Sequence, residues 1–211
     1  MKKNKNKTLV LSLIVCLLPV IAVLAVYDRL PESVATHWGM DGNPDGWSPR
    51  WFLFLLPVIL AGLELVCHWG MKHGDPRSAN VARPMGAMTY WIVPTVSVFA
   101  MAVTVSYALG ADLQMVTLAQ LLIGLLFVFI GNYLPKCRQN AMIGIRFPWT
   151  LSDVENWNFT HRVAGRVWMV CGMVMLAAAF MDAGWVSLAA LAVAALSTFG
   201  ASLWYRMRHK A

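Results

Sequence analysis

The chain has 211 residues, of which 59% are hydrophobic and only 13% are charged. These proportions lie far from those of soluble domains, so they exclude a water-soluble globular protein and indicate an integral membrane protein. The net charge of +7 does not call for nucleic acid, because no basic stripe falls on a soluble domain. We therefore expect a lipid bilayer as a partner and no nucleic acid.

Six apolar stretches follow one another along the chain, and each has about the 20 residues that a helix needs to cross a bilayer. They are residues 8–27, 51–70, 88–109, 116–134, 163–181 and 185–205. None alternates in polarity as a barrel strand would. The sequence therefore predicts an all-α membrane protein with six transmembrane helices. The first stretch could be a signal peptide, but its apolar run is longer than such a segment needs, which favours a retained anchor.

The distribution of positive charge predicts the orientation, because Lys and Arg that flank membrane spans stay on the cytoplasmic side. With the N-terminus inside, fifteen of the seventeen Lys and Arg residues fall in inside segments, and only Arg29 and Arg50 fall outside. Six of the ten acids lie in the outside loops: Asp28, Glu32, Asp41, Asp45, Asp112 and Asp182. Both termini are thus predicted to be cytoplasmic.

Two regions are expected along this topology. Residues 1–87 would form an N-terminal two-helix region with a structured outer loop at 28–50. Residues 88–211 would form a four-helix region with a cytoplasmic cap loop at 131–166. These two loops hold most of the polar residues that could carry a function.

The outer loop offers His37, Asp41, Asp45 and Trp47 as candidate functional residues. Asp41, Asn43, Asp45 and the following glycine match the opening of a calcium loop, but Phe52 stands where that loop requires glutamate. The same residues are also typical of tight turns. We predict turns and no bound metal, while a metal at this loop stays the alternative. The tryptophans fit an interfacial aromatic belt.

The second span contains Glu64, with His68 one helical turn further on the same face. An intramembrane acid is costly, by about 2.5 to 3.5 kcal/mol near the bilayer centre, and is a functional candidate for that reason. Glu64 could be a proton or cation site, or the pair could make a polar contact between helices. The four cysteines show no metal spacing, and no motif of known catalytic chemistry occurs, so we predict no cofactor.

The cap loop carries five basic residues, namely Lys136, Arg138, Arg146, Arg162 and Arg166. A capping box from Ser152 to Glu155 predicts that a helix starts there. Trp157, His161, Gly165 and Trp168 then recur at spacings of four, four and three, which places them on one face of a helix that runs into the fifth span. The sequence predicts a folded cap. The alternative is an ordinary positive-inside loop with interfacial tryptophans.

Arg146 is the most specific candidate in the cap. Its planar guanidinium suits a carboxylate, a phosphate or a group of carbonyls better than lysine would. The sequence predicts bidentate contacts from Arg146 to Asp153, to Glu155 or to a bound partner.

The cap loop also resembles the SdpI family of bacterial membrane proteins. The resemblance rests on GNYLPK at 131–136, Asn140, GIR at 144–146, PWTL at 148–151, Trp157, THR at 160–162 and Gly165. Residues 30–47, with His37 and Trp47, resemble a small domain of unknown function that often precedes this family. Gln139 and Phe147 depart from the pattern, since Pro and Thr are common there.

The resemblance implies a polytopic immunity protein of the bacterial inner membrane that protects its producer from a secreted antimicrobial peptide and can pass a signal inward. The implied partners are a peptide toxin and a cytoplasmic regulator. The implied motif residues are Asn132, Lys136, Asn140, Gly144, Arg146, Pro148, Trp149, Trp157, Thr160, His161 and Arg162. The alternative is a small transporter or an intramembrane enzyme, in which Glu64, His68, Lys136, Arg146 and His161 would converge on an anionic or amphipathic ligand.

The charge distribution makes a testable prediction about topology. Reporter fusions at both termini and within residues 131–166 should give cytoplasmic activity, whereas a fusion near His37 should report the outside, because the positive charges are retained inside. A periplasmic or extracellular report from the 131–166 fusion would contradict the prediction.

Overall fold

A computed structural model describes residues 2–73, 83–181 and 183–209. Within them the chain forms seven α-helices and one β-hairpin. In order these are α1 (Lys2–Val26), β1 (Ser33–Trp38), β2 (Pro44–Pro49), α2 (Leu55–His73), α3 (Arg83–Ala108), α4 (Met115–Tyr133), α5 (Pro148–Ser152), α6 (Val154–Ala179) and α7 (Gly184–His209). Short 3-10 turns cover Tyr27–Arg29, Arg50–Phe54 and Leu134–Lys136.

Six of these helices, all except α5, are long and apolar enough to cross a membrane. The predicted all-α membrane fold with six spans is confirmed to that extent, while the orientation of the termini stays a prediction. Three charges that entered the topology argument, Arg77, Asp182 and Lys210, lie outside the described residues. The largest difference from the predicted spans is at α6, which begins at Val154, whereas the predicted span begins at residue 163. The first turns of α6 are polar and belong to the cap, so an apolar run does not include them.

The described residues form two compact units. The first contains α1, the hairpin, α2 and α3 from residue 86 onwards, and the second contains α4 to α7. The division at residue 87 predicted from the sequence concerns regions of the chain and stays a prediction.

The first unit has an apolar cluster at the hairpin end of its helices. It consists of Val23, Leu30, Val34, Leu53 and Met101, all at most 4% exposed. These residues come from α1, the segment between α1 and β1, strand β1, the 3-10 turn before α2, and α3. Burying large aliphatic side chains contributes roughly 1.5 to 3 kcal/mol each. The cluster therefore fixes the hairpin onto the ends of the helices.

The hairpin itself was not predicted, since the sequence indicated only a structured loop. Strands β1 and β2 are antiparallel, with irregular register around His37. The Asp41 carboxylate accepts hydrogen bonds from the Asn43 backbone and side chain, and Gly42 has a φ of +79°, which glycine adopts without strain. At its base, Arg50 donates to the Tyr27 carbonyl and lies over the Tyr27 ring. The sequence does not indicate these strands, because each has only six residues and the segment is rich in residues that are typical of turns.

The second unit depends on a close backbone approach between α4 and α6. Gly124 and Gly131 of α4 face Gly172 and Gly165 of α6, respectively. A Cβ atom built on Gly172 would lie 2.7 Å from the Gly124 carbonyl oxygen and 2.7 Å from the Val128 nitrogen. Small residues permit such approach in membrane helices, where van der Waals packing drives association. The seven-residue spacing of both pairs keeps the two antiparallel helices in contact over two turns.

Helix α7 packs along α6 through small and flexible residues. Cys171 and Met175 of α6 form a buried cluster with Ala190 and Ala194 of α7. A polar link crosses the same interface, because the Trp168 indole N–H donates to Thr198 Oγ1 over 3.1 Å. Helices α6 and α7 therefore form one layer that supports the cap.

The glycine contacts predict a difference between two alanine variants of the second unit. Gly172→Ala should lower thermal stability in detergent, because its methyl group meets backbone atoms at a cost of about 1 to 3 kcal/mol. Gly200→Ala is the matched control, since nothing lies within 4 Å of its added Cβ and Ala improves helix propensity by up to about 1 kcal/mol. Equal melting temperatures for both variants would contradict the packing described.

Candidate functional site

The cap segment, which we define as residues 131–166, is organised around the buried side chain of Asn140. Its Oδ1 accepts hydrogen bonds from the backbone N–H groups of Met142 and Ile143, each over 2.8 Å. Its Nδ2 donates to the carbonyls of Arg138 and Ile143. Asn140 is fully buried, so these bonds replace water for both sides of the amide group. One side chain thus holds the loop closed from residue 138 to residue 143.

The first turns of α6 seat the loop through Trp157 and His161. The Trp157 indole N–H donates to the Cys137 carbonyl over 2.7 Å, and its ring stacks on His161 with centroids 4.0 Å apart. His161 Nδ1 lies 2.8 Å from the Trp157 carbonyl oxygen, and Nε2 lies 3.0 Å from the Ile145 nitrogen. A carbonyl only accepts and a backbone N–H only donates, so Nδ1 carries the proton and the imidazole is neutral.

Gly144 lets the loop approach these rings. Its φ is +117°, a conformation that favours glycine. A Cβ atom at Gly144 would lie 2.5 Å from His161 Nε2 and 3.0 Å from ring carbons of Trp157. The glycine of the GIR motif is therefore required both by its backbone angle and by the space that the rings occupy.

Short helix α5 is held by Thr150 and Gln139. The buried Thr150 Oγ1 accepts a hydrogen bond from the Phe147 N–H and lies 2.8 Å from the Ile145 carbonyl oxygen, to which it can donate. Gln139 donates to the carbonyls of Thr150 and Leu151. Proline at position 148 starts the helix, where its missing N–H costs nothing. Gln139, which departs from the expected Pro, thus has a structural role in this chain.

The predicted capping box from Ser152 to Glu155 is wrong by one residue. Asp153 is the N-cap of α6 and accepts hydrogen bonds from the N–H groups of Glu155 and Asn156. Ser152 ends α5 and contacts the Trp149 carbonyl instead. Aspartate competes well for this position because its carboxylate favours the positive end of a helix dipole.

A second polar link joins the start of α6 to the end of α7. The buried Asn156 side chain donates to the Ser202 carbonyl over 3.1 Å and accepts from Thr160 Oγ1 over 2.9 Å. Asn156 and Thr160 are at most 1% exposed. The contact fixes the cap to the two helices beneath it.

Trp149 lies at the rim of the cap in an aromatic and cationic cluster. Its ring stacks on Phe147 with centroids 5.2 Å apart and meets Phe199 edge-on. The Arg206 guanidinium carbon lies 4.9 Å from the ring centroid, in the geometry of a cation–π contact. A cavity of about 50 Å³ adjoins the cluster, lined by Trp149, Ser152, Asp153, Asn156, Arg206 and His209. It has room for little more than a water molecule or two.

The basic residues of the cap are all exposed, unlike its frame. Lys136 lies over the Tyr133 ring at 4.7 Å, and Arg146 donates to the Ala141 carbonyl over 2.6 Å. Among the described residues Arg146 forms no ion pair with Asp153 or Glu155. The predicted bidentate contacts of Arg146 with Asp153 or Glu155 are therefore wrong. Both acids have other partners, because Asp153 caps α6 and Glu155 accepts a hydrogen bond from Tyr205.

The predicted motif residues thus divide into two groups. Asn140, Gly144, Trp157, Thr160 and His161 form the inner frame, with half-buried Trp149 at its rim, whereas Asn132, Lys136, Arg146, Pro148 and Arg162 are exposed. Five further residues support the cap and are not among the predicted motif residues: Gln139, Thr150, Asp153, Asn156 and Ser202. Only Thr150 stood in the quoted motif, and no spacing in the sequence marks the others.

The candidates outside the cap belong to the first unit. Glu64 is 2% exposed, and its Oε1 lies 3.0 Å from the Ser12 hydroxyl. His68 shares a hydrogen bond with the Tyr90 hydroxyl over 3.0 Å. In the hairpin, His37 Nδ1 lies 2.5 Å from Asp45 Oδ1, and hydrogen bonds from Asn43 lower the pKa of Asp41. Trp47 is 58% exposed.

Gly144 generates a prediction about the cap. Gly144→Ala should expose the loop to trypsin at Arg146, because the strained φ and the collision with His161 together cost several kcal/mol, of which the φ accounts for about 1 to 3. The control is Gly110→Ala, which also has a positive φ but nothing within 4 Å of its Cβ. The measurement is the rate of cleavage after Arg146, mapped by mass spectrometry. The packing argument fails if both variants are cleaved there at the wild-type rate.

The burial of Cys137 gives a second testable prediction about the cap. Burial raises the pKa of its thiol to about 11, and a hydrogen bond from Asn140 opposes this only in part. Such a pKa lowers the reactive thiolate fraction at pH 8 by about two orders of magnitude relative to a free cysteine. Site-resolved maleimide labelling should therefore be slow at Cys137 in the folded protein and fast after denaturation. Rapid labelling of the folded protein would show that the loop opens.

Comparisons with known proteins match two segments of the chain to described families. Residues 136–202 match the SdpI/YfhL protein family, and residues 14–61 match a domain of unknown function, DUF1648. The Immunity protein SdpI of Bacillus subtilis (strain 168) is 24% identical over 189 residues, which are 89% of this chain and 86% of that protein. No solved structure matches the chain. The resemblance read from the motifs is therefore confirmed: along this membrane protein, a segment that matches DUF1648 precedes a segment that matches the SdpI/YfhL family.

Proposed function

We propose that the chain is a multi-pass protein of the bacterial inner membrane that protects the cell from a secreted antimicrobial peptide. The observation that carries the proposal is the alignment with a protein named for immunity, which extends over 86% of that protein. An alignment over 89% of this chain has to include most of both matched segments, so the likeness is not confined to one motif.

The closed cap supports this function over a transporter or an intramembrane enzyme. The alternative needs five residues to converge on a ligand, and three of them, Lys136, Arg146 and His161, belong to the cap. Both ring nitrogens of buried His161 are occupied by backbone groups, and the two basic residues are exposed. The cavity beside the cap holds about 50 Å³, well below the 300 to 1,000 Å³ of ordinary ligand sites.

In this proposal the cap is a preorganised surface for a protein partner. The hydrogen bonds of buried Asn140, Thr150, Trp157 and His161 keep the loop in one conformation, so little entropy is lost when a partner binds. The frame displays exposed cations, which steer association with an acidic partner. On the predicted topology this surface faces the cytoplasm, where the partner would be a regulator.

The hairpin is the corresponding candidate on the outer face. Its neighbourhood exposes large apolar side chains, namely Met40 at 70%, Trp47 at 58% and Trp51 at 52%. Exposed aromatic and methionine side chains are enriched where proteins bind partners. A secreted peptide would first meet the cell at this face, so we assign the hairpin to contact with the toxin.

Survival of a sensitive bacterium tests the proposal. Cells that express the chain should survive at least one member of a panel of secreted antimicrobial peptides better than cells with an empty vector. Arg146→Lys should lower survival, because Lys lacks the planar fork that reaches the Ala141 carbonyl. Trp149→Ala should do the same through lost ring packing.

The control variant is Arg138→Lys, which keeps the charge of an exposed side chain and should protect like wild type. Protein levels in the membrane are measured in parallel. Wild-type protection by both Arg146→Lys and Trp149→Ala would remove the cap from the proposed mechanism, and no protection by the abundant wild-type chain against any peptide would contradict the function itself.

A further inference from the structure

The first unit contains a buried acid that the proposed function does not use. Glu64 is 2% exposed on α2, inside a helix long enough to cross a membrane. Its Oε2 is buried and has no hydrogen-bond partner. A buried polar atom without a partner requires an explanation, because its desolvation costs about 1 to 3 kcal/mol, and more if it is charged.

Among the side chains that the structure describes, none forms an ion pair with Glu64. Its titratable neighbours are Cys16 on α1, Cys67 on α2 and Tyr90 on α3, none of which is a cation. His68 lies one turn further along α2 and shares a hydrogen bond with Tyr90. With respect to these described residues, an ionised carboxylate here would be a buried charge without an ion-pair partner, which proteins avoid.

The contacts of Ser12 indicate where a proton resides. Ser12 is fully buried on α1, and its Oγ lies 2.9 Å from the Leu9 carbonyl oxygen and 3.0 Å from Glu64 Oε1. A hydroxyl has one hydrogen to donate. The carbonyl can only accept, so if Ser12 donates to Leu9, the second contact is a hydrogen bond only when Glu64 is the donor.

We propose that Glu64 is a proton-binding site that joins α1 to α2. The neutral carboxyl group donates its Oε1–H to Ser12 Oγ, and Ser12 donates in turn to the Leu9 carbonyl. Oε2 is then the carbonyl oxygen of the acid. Leaving a neutral carbonyl without a partner costs far less than leaving a carboxylate oxygen without one. The bound proton thus accounts for both short contacts and for the unpartnered atom.

Infrared spectroscopy with labelled glutamate tests this assignment. The chain has three glutamates, Glu32, Glu64 and Glu155, and the first and last are exposed. Carbon-13 at the glutamate side-chain carboxyl shifts only their bands. The reconstituted wild type at neutral pH should show one labelled band of a protonated carboxylic acid, because the exposed glutamates are ionised in water.

Two variants locate the proton and its acceptor. Glu64→Gln should lose the protonated band entirely and should accumulate normally, because the amide keeps the shape and can donate to Ser12. Ser12→Ala should retain the band at a changed frequency, because the acceptor of the Oε1–H is gone.

A purely structural glutamate in its ionised form would give labelled carboxylate bands alone, and that result overturns the proposal. A protonated band that is identical in Ser12→Ala overturns the assigned hydrogen bond. If Glu64→Gln fails to accumulate, the labelled wild type and Ser12→Ala decide the question.

Discussion

The cap depends on one constraint, which is that the backbone groups of an irregular loop must find partners when the loop is packed against helices. Four buried side chains meet this requirement at different points. Asn140 forms hydrogen bonds with backbone groups between residues 138 and 143, and Thr150 forms them at the start of α5. Trp157 donates to the carbonyl of Cys137, and His161 accepts from the N–H of Ile145. Without them the loop would need water at the same positions.

This constraint explains why so many motif residues are polar and yet do not form an open binding pocket. Their hydrogen-bonding capacity is consumed inside the cap. The neutral state of His161 illustrates the point, because donation to Trp157 and acceptance from Ile145 leave neither ring nitrogen for a ligand. The residues available to a partner are the exposed cations and the rim around Trp149.

The two units use different means to place a polar group within apolar helices. In the second unit, glycine pairs bring α4 and α6 into backbone contact, and the Trp168 indole donates to Thr198 Oγ1, which donates in turn to the Ala194 carbonyl. In the first unit, Glu64 retains one unmatched oxygen. Among the described residues, Gln120 Oε1 and the indole nitrogens of Trp38 and Trp149 are likewise buried without a partner, but only Glu64 is ionisable. An unpartnered atom costs more when it is charged, so Glu64 differs from the other three in what a bound proton would save.

The sequence by itself determined the membrane class, the six spans and the family resemblance, because apolar runs of about 20 residues and a long motif are local properties of the chain. It also predicted the helix face that carries Trp157 and His161, since periodicity is local. Tertiary structure alone decided the rest. Whether Asn140 is buried and Arg146 exposed depends on which surface the loop folds against. The N-cap at Asp153 is decided between two adjacent residues that can both cap a helix. The hairpin and the link from Asn156 to Ser202 join residues that are apart in the chain. The role of Glu64 could be suspected from its place in an apolar run, but the two contacts of Ser12 that bear on its proton come from a neighbouring helix, which no local pattern records.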